Sequence, residues 1–128
     1  MGTGTEIGRV RGLGSAKAGA HHWWMHRLTA GSNFLLISWF LISLLRLPGY
    51  DYETVKTWLS SPIAAVPMAL LVISVFWHFK MGLTTVIEDY QHDESRVVAL
   101  VLLNFYVIAM AAFAIFAIMK IAFTGGEA

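Results

Sequence analysis

The chain has 128 residues, 57% of them hydrophobic, and a formal net charge of +1 from nine Lys and Arg against eight Asp and Glu. This is too apolar for a soluble domain of ordinary composition, so an integral membrane protein is expected, with no nucleic-acid partner. Cysteine is absent, which excludes disulfides, thiolate metal sites and cysteine-ligated clusters within the chain. Any redox centre must use histidine or be supplied by a partner.

Residues 1–26 read as a basic, Gly-rich arm and interfacial segment, and 27–128 as a three-helix transmembrane anchor. The arm has glycine at 2, 4, 8, 12, 14 and 19, no periodicity and too little apolar surface to fold alone, so it is expected to be mobile unless a partner orders it. It has no apolar h-region, hence no cleavable signal is expected and insertion begins with the first span. His21-His22-Trp23-Trp24-Met25-His26-Arg27 suits the headgroup region, where amphipathic rings beside cations are stable. These histidines have no cysteine or carboxylate nearby, and membrane or partner contact is the better reading than metal binding.

Three apolar stretches, Leu28 to Leu45, Ile63 to Ile87 and Val97 to Phe123, reach the roughly 20 residues needed to cross a hydrocarbon core about 30 Å thick. The predicted fold is therefore all-α, with transmembrane helices over about 28–47, 62–88 and 96–123. Leu47-Pro48-Gly49 stops the first. The loop from Tyr50 to Ser61 has room for a short interfacial helix, and Ser61-Pro62 starts the second span with proline where its missing donor costs nothing. Pro67 falls one turn in, where it can tilt the entry. A connection over Glu88 to Ser95 makes the second and third helices antiparallel neighbours. Ala109, Ala111, Ala112, Ala114 and Ala117 allow close helix contact in lipid.

Arg9, Arg11, Lys17, Arg27, Lys80 and Arg96 lie on one side of the three spans, and Arg46, Lys56 and Lys120 on the other. The positive-inside rule then puts the N-terminus in the cytoplasm and the C-terminus outside. In a bacterium this is a multi-pass protein of the cytoplasmic (inner) membrane.

His78 sits within the second apolar stretch, and an ionisable group at bilayer depth is a functional-site hypothesis by default. At about 100° per residue, Gly82, Thr85 and Asp89 share its narrow face, which Ser74 and Leu71 continue, while Lys80 points to the opposite side. A neutral imidazole is a good axial ligand for haem iron, and glycine one turn below removes a side chain that would strike a flat macrocycle. One histidine fills one axial position, so a six-coordinate haem would need a ligand from another chain. An intramembrane histidine also serves proton relays and structural hydrogen bonds, and Gly82 can simply permit packing. Tyr90, at the cytoplasmic interface, can donate to a quinone carbonyl with Asp89 ordering it; equally, it suits the aromatic belt while Asp89 solvates a turn. Arg27 can pair a haem propionate or a lipid phosphate, and Lys80 can snorkel to the headgroups with no catalytic part.

With His78-x-x-x-Gly82 and Asp89-Tyr90 at the end of the second span, and Gly12-Leu13-Gly14-Ser15-Ala16-Lys17, His21-His22-Trp23-Trp24 and Arg27-Leu28-Thr29-Ala30 before it, the chain resembles the hydrophobic membrane anchor of succinate dehydrogenase. This is respiratory Complex II, a succinate:quinone oxidoreductase, and the alphaproteobacterial and mitochondrial-like versions are the most similar. The resemblance implies that His78 is an axial ligand of a haem b shared with a second membrane anchor, and that Arg27 lies near the propionates. It implies that Tyr90 and Asp89 help to form the ubiquinone site, with electrons arriving from a flavoprotein subunit through an iron-sulfur subunit. The chain alone would then be no catalyst. Lys80, His26 and Asn33 have no part in that pattern. Two other classes compete: a purely structural anchor without haem or quinone contact, and a proton-conducting subunit with His78 as relay, for which the other spans offer only Asn33 and Asn104.

Overall fold

The computed structural model describes residues 5–6 and 19–125; the rest of the Gly-rich arm, with Arg9, Arg11 and Lys17, lies outside the described residues. From Gly19 onward the chain forms four helices: α1 (Gly19–Leu45), α2 (Tyr52–Leu59), α3 (Pro62–Tyr90) and α4 (Asp93–Thr124). Three of them, α1, α3 and α4, are long and apolar enough to cross a membrane, as the apolar stretches predict, and no strand occurs among the described residues.

The ends differ from the expectation in instructive ways. α1 already runs from Gly19, so the His-His-Trp-Trp segment forms its first turns and does not precede it. Nothing in that segment breaks a helix; polarity alone suggested a boundary at 28. The connection between α3 and α4 is only Gln91 and His92, shorter than the expected Glu88 to Ser95, because Glu88, Asp89, Glu94 and Ser95 all continue the helices into polar surroundings. Reversing the chain in two residues puts Asp93 at φ +54°, a left-handed conformation that aspartate tolerates better than most side chains. At the far end of α4, Gly125 takes φ +60° and its N–H caps the Ile121 carbonyl, a common glycine helix stop.

The short α2 starts at Asp51, whose carboxylate accepts from the Thr54 N–H at 3.1 Å and from the Thr54 hydroxyl at 2.7 Å. These bonds hold the Asp51 carboxyl below the usual range, the Thr54 hydroxyl contributing most. Ser61-Pro62 begins α3 as expected, and Pro67 is accommodated within a helix that continues to Tyr90. As the sixth residue of the helix, Pro67 removes the one bond that its N–H would have made to the Ile63 carbonyl.

α3 is the middle element. It packs on α1 along one side and on α4 along another, and the backbones of α1 and α4 stay apart among the described residues. On α4 the seam is Leu103, Val107 and Ile118, all buried, with Ala111 and Ala114 half-buried between them, a three-and-four spacing that keeps one stripe toward the neighbour. Ala109, Ala112 and Ala117 are exposed, so only part of the expected alanine set serves packing within the chain. The tightest cluster lies where α2 crosses the ends of α3 and α4: Leu59, Ala65 and Ile118 with Trp58, Met68 and Val72 around them. Trp58 stacks on Trp39 of α1 with ring centroids 6.0 Å apart, and the Ser60 hydroxyl donates to the Lys56 carbonyl at 2.8 Å.

Nine described residues are buried, eight of them apolar, and none is fully enclosed. Large side chains such as Phe34, Phe105, Phe113 and Phe116 point outward. Water would make this arrangement unstable, whereas lipid tails or a partner helix solvate such faces at no hydrophobic cost.

Candidate functional site

The buried polar residue is Thr29, on α1, and it meets His78, on α3. Its hydroxyl lies 3.0 Å from His78 Nδ1. The same hydroxyl is 2.9 Å from the Met25 carbonyl and 3.1 Å from the His26 carbonyl. Ser74, one turn from His78 on α3, donates its hydroxyl to the Thr29 carbonyl at 3.4 Å. Among the described residues, both hydrogen bonds that cross between α1 and α3 therefore end on Thr29. His78 is half-buried, and its ring also faces that of His26, centroid to centroid 4.7 Å with the planes tilted by 45°. His22 continues this ladder, 6.4 Å from His26.

Asn33 follows Thr29 by one turn on α1. Its Oδ1 is buried and has no hydrogen-bond partner among the described residues. An unpaired buried carbonyl costs about 1–3 kcal/mol, so a donor that reached Asn33 Oδ1 would stabilise the polar seam between α1 and α3. Asn104, the other amide within the spans, donates to the Leu100 carbonyl of its own helix at 2.7 Å and adds nothing to a relay through His78.

Gly82 lies one turn beyond His78. A Cβ built there would meet nothing within 4 Å, so the missing side chain is not needed for packing α3 on α1 or α4. Thr85, on the same stripe, donates its hydroxyl to the Met81 carbonyl at 3.2 Å. Asp89 and Tyr90 end α3, both exposed, Tyr90 at 79%. At 1.5 Å rise per residue, Tyr90 is about 18 Å along the axis from His78. His78 and the Asp89-Tyr90 pair are thus two places on one helix and not one cluster.

Arg27 does not join the His78 seam. It lies two residues from Thr29 and so on the other side of α1, where its guanidinium stacks over Trp23, 4.4 Å from the ring centroid. A tryptophan and an arginine one turn apart hold each other in a cation–π pair. Lys80, about 200° round α3 from His78, also borders α1. With Trp77 and Met81 it lines a cavity of about 310 Å³ that His21, His22 and Met25 close from α1.

Sequence reasoning singled out His78 and Gly82 and missed Thr29 and His26. Asp89 was found from its shared face, but Thr29 belongs to another helix, 49 positions away. The available signal was weak: Thr29 is one of several hydroxyl side chains on α1, with Ser32, Ser38 and Ser43, and a hydroxyl can bond a carbonyl of its own helix without a second partner.

A family model described as succinate dehydrogenase/fumarate reductase transmembrane subunit matches residues 1–118. The chain belongs to this family. It is similar to the succinate dehydrogenase hydrophobic membrane anchor subunit of Rickettsia bellii (strain RML369-C), 36% identical over 85 residues that make up 66% of this chain and 68% of the relative. It also resembles the subunits of the same description from Paracoccus denitrificans, 30% identical over 111 residues (87% of this chain, 86% of the relative), and Rickettsia conorii (strain ATCC VR-613 / Malish 7), 28% over 113 residues (86% and 90%). No solved structure matches. The three spanning helices and the family together make the chain a multi-pass membrane anchor subunit of succinate dehydrogenase, a part of a larger enzyme with catalytic subunits elsewhere.

Proposed function

We propose that this anchor docks the flavoprotein and iron-sulfur subunits on the cytoplasmic side, shares a haem b with a second membrane anchor and supplies part of the ubiquinone-reducing site. The observation that carries the haem reading is the pairing of a half-buried His78, one ring nitrogen of which already has a partner, with open space beside Gly82. Those residues fit a flat, histidine-ligated macrocycle; α1 and α4 leave α3 without a closed bundle around it, so the second ligand and the remaining walls come from the companion anchor. Haem bound there would supply a one-electron store on the same helix that ends at the quinone site.

What this chain's own residues do is divided along α3. His78 offers one axial nitrogen, and Gly82 keeps the approach clear. Arg27 is the proposed partner for a propionate; the headgroup phosphate of a lipid is an equal match for its outward position over Trp23. Tyr90 donates its phenolic proton to a quinone carbonyl as the quinone is reduced, and Asp89, adjacent and exposed, orders the water that returns it. The exposure of both residues at the end of α3 supports this role, since quinone reduction needs protons from water and electrons from a docked partner.

Co-purification tests the assembly: the chain should elute with a flavoprotein, an iron-sulfur protein and a second anchor, together with a b-type absorption band. Assembly without that band would leave a purely structural anchor. For the quinone site, Tyr90→Phe should depress succinate-driven quinone reduction about a hundred-fold or more, within the range of a lost general acid, while transfer to a soluble dye acceptor stays intact. Equal loss of both would place the damage in assembly.

A further inference from the structure

The contact between Thr29 and His78 determines which nitrogen the histidine can offer. A threonine hydroxyl has one proton to donate and lone pairs with which to accept. Thr29 Oγ1 has three neighbours in range: the carbonyls of Met25 at 2.9 Å and His26 at 3.1 Å, and His78 Nδ1 at 3.0 Å. The two carbonyls can only accept, and they take the hydroxyl proton. His78 Nδ1 is then satisfied only as a donor, so the proton of the neutral ring sits on Nδ1 and Nε2 keeps a free lone pair. In the opposite arrangement the hydroxyl would turn away from both carbonyls of its own helix to serve a bare Nδ1, and Nε2 would carry the proton.

Two further observations make Thr29 a fixed acceptor. It is 8% exposed, the one buried polar residue among those described, so neither water nor a headgroup competes for its hydroxyl. Its backbone is tied to the same helix as its side chain partner, because Ser74 donates to the Thr29 carbonyl at 3.4 Å, one turn of α3 from His78. These contacts also restrain the orientation of the imidazole.

We propose that Thr29 is a positioning residue that holds His78 as the Nδ1-protonated tautomer and presents Nε2 as the nitrogen for haem iron. This rests on the haem reading above. An acceptor on the Nδ1–H also raises the basicity of a metal-bound imidazole, which favours the oxidised iron; removing the acceptor makes the haem easier to reduce.

The experiment uses the intact complex purified with wild-type chain, Thr29→Val, which keeps the shape and removes the hydroxyl, and Thr29→Ser, which keeps the hydroxyl. Haem content is measured first, then the b band is titrated redox-potentiometrically. Thr29→Val should retain haem and raise the ratio of reduced to oxidised haem at a fixed ambient potential about three-fold or more, roughly 28 mV for a one-electron couple at 59 mV per tenfold, while Thr29→Ser follows the wild type. A Thr29→Val complex with full haem and a titration superimposable on the wild type overturns the role of Thr29 and leaves the haem reading standing. Wild-type complex without haem overturns the haem reading, and this inference with it. If Thr29→Val fails to assemble, the wild-type complex decides: with ¹⁵N-labelled histidine and the haem reduced, the ring signals that vanish in His78→Gln should show a protonated Nδ1, and a ring protonated on Nε2 overturns the proposal.

Discussion

The two ends of α3 are built on different principles. Near Pro62, α2 closes over α3 and α4, and Leu59, Ala65 and Ile118 pack with Trp58 and Met68 into a continuous apolar cluster. Sixteen residues on, at His78, the contact with α1 is polar: a hydroxyl, an imidazole, a second hydroxyl and an unpaired amide oxygen. Beyond it the helix is open on the Gly82 side and ends in exposed Asp89 and Tyr90. The first end is apolar and closely packed, and the second carries polar and exposed side chains. In lipid, where apolar burial between helices gains little, polar contacts and close packing decide where helices meet. Packing concentrated at one end and polar groups at the other is the arrangement that the proposed haem site requires.

The largest effect that would break this contrast is at Gly82. The Cβ of Gly82→Leu meets no atom of this chain within 4 Å, so the helices should insert and pack as before, yet the haem band of the purified complex should fall at least ten-fold. Full haem with leucine at 82 would show that the open side of α3 is only lipid-facing.

A smaller effect is expected at the packed end. Ile118→Ala removes a buried side chain from the cluster beneath α2 and should destabilise the complex by about 1–2 kcal/mol, less than in a water-soluble core because lipid lowers the cost of exposing apolar surface. It should do so without changing the haem spectrum, read by thermal denaturation and absorption on the same sample. A spectral change would mean that the two ends are coupled.

The spans were legible because eighteen or more apolar residues in a row have few alternatives, and the shared face of His78, Gly82 and Asp89 followed from helical spacing alone. α1's contribution to the site was not legible. Thr29 carries no periodic signal, and its significance appears only when α1 and α3 are placed side by side. The same holds for His26, read from sequence as interfacial and found with its ring against His78. The start of α1 at Gly19 was obscured by composition, since a helix that emerges from lipid keeps its backbone pattern while its side chains become polar and aromatic. The alanines of α4 suggested one broad packing face, whereas the seam is set by Leu103, Val107 and Ile118 and takes in only the alanines between them.

The smallest expected effect is at the start of α2. The Asp51 carboxyl lies below its usual range because the Thr54 hydroxyl and N–H bond to its ionised form. A carboxyl lowered on folding contributes stability above its ordinary value and loses it as pH falls through the lowered one. Acidification below the ordinary carboxyl range should therefore fray α2, seen as faster amide exchange at Thr54, and Asp51→Ala should remove that pH dependence. The His78 end should be unaffected by the substitution.

The central claim, that His78 is completed by a haem from outside the chain, is tested most directly by His78→Ala in the purified complex, with haem content and the optical spectrum of the b band measured against wild type at equal protein. The account predicts loss of the band or a clear change in its position as one axial ligand disappears. An unchanged spectrum with unchanged haem content would contradict it.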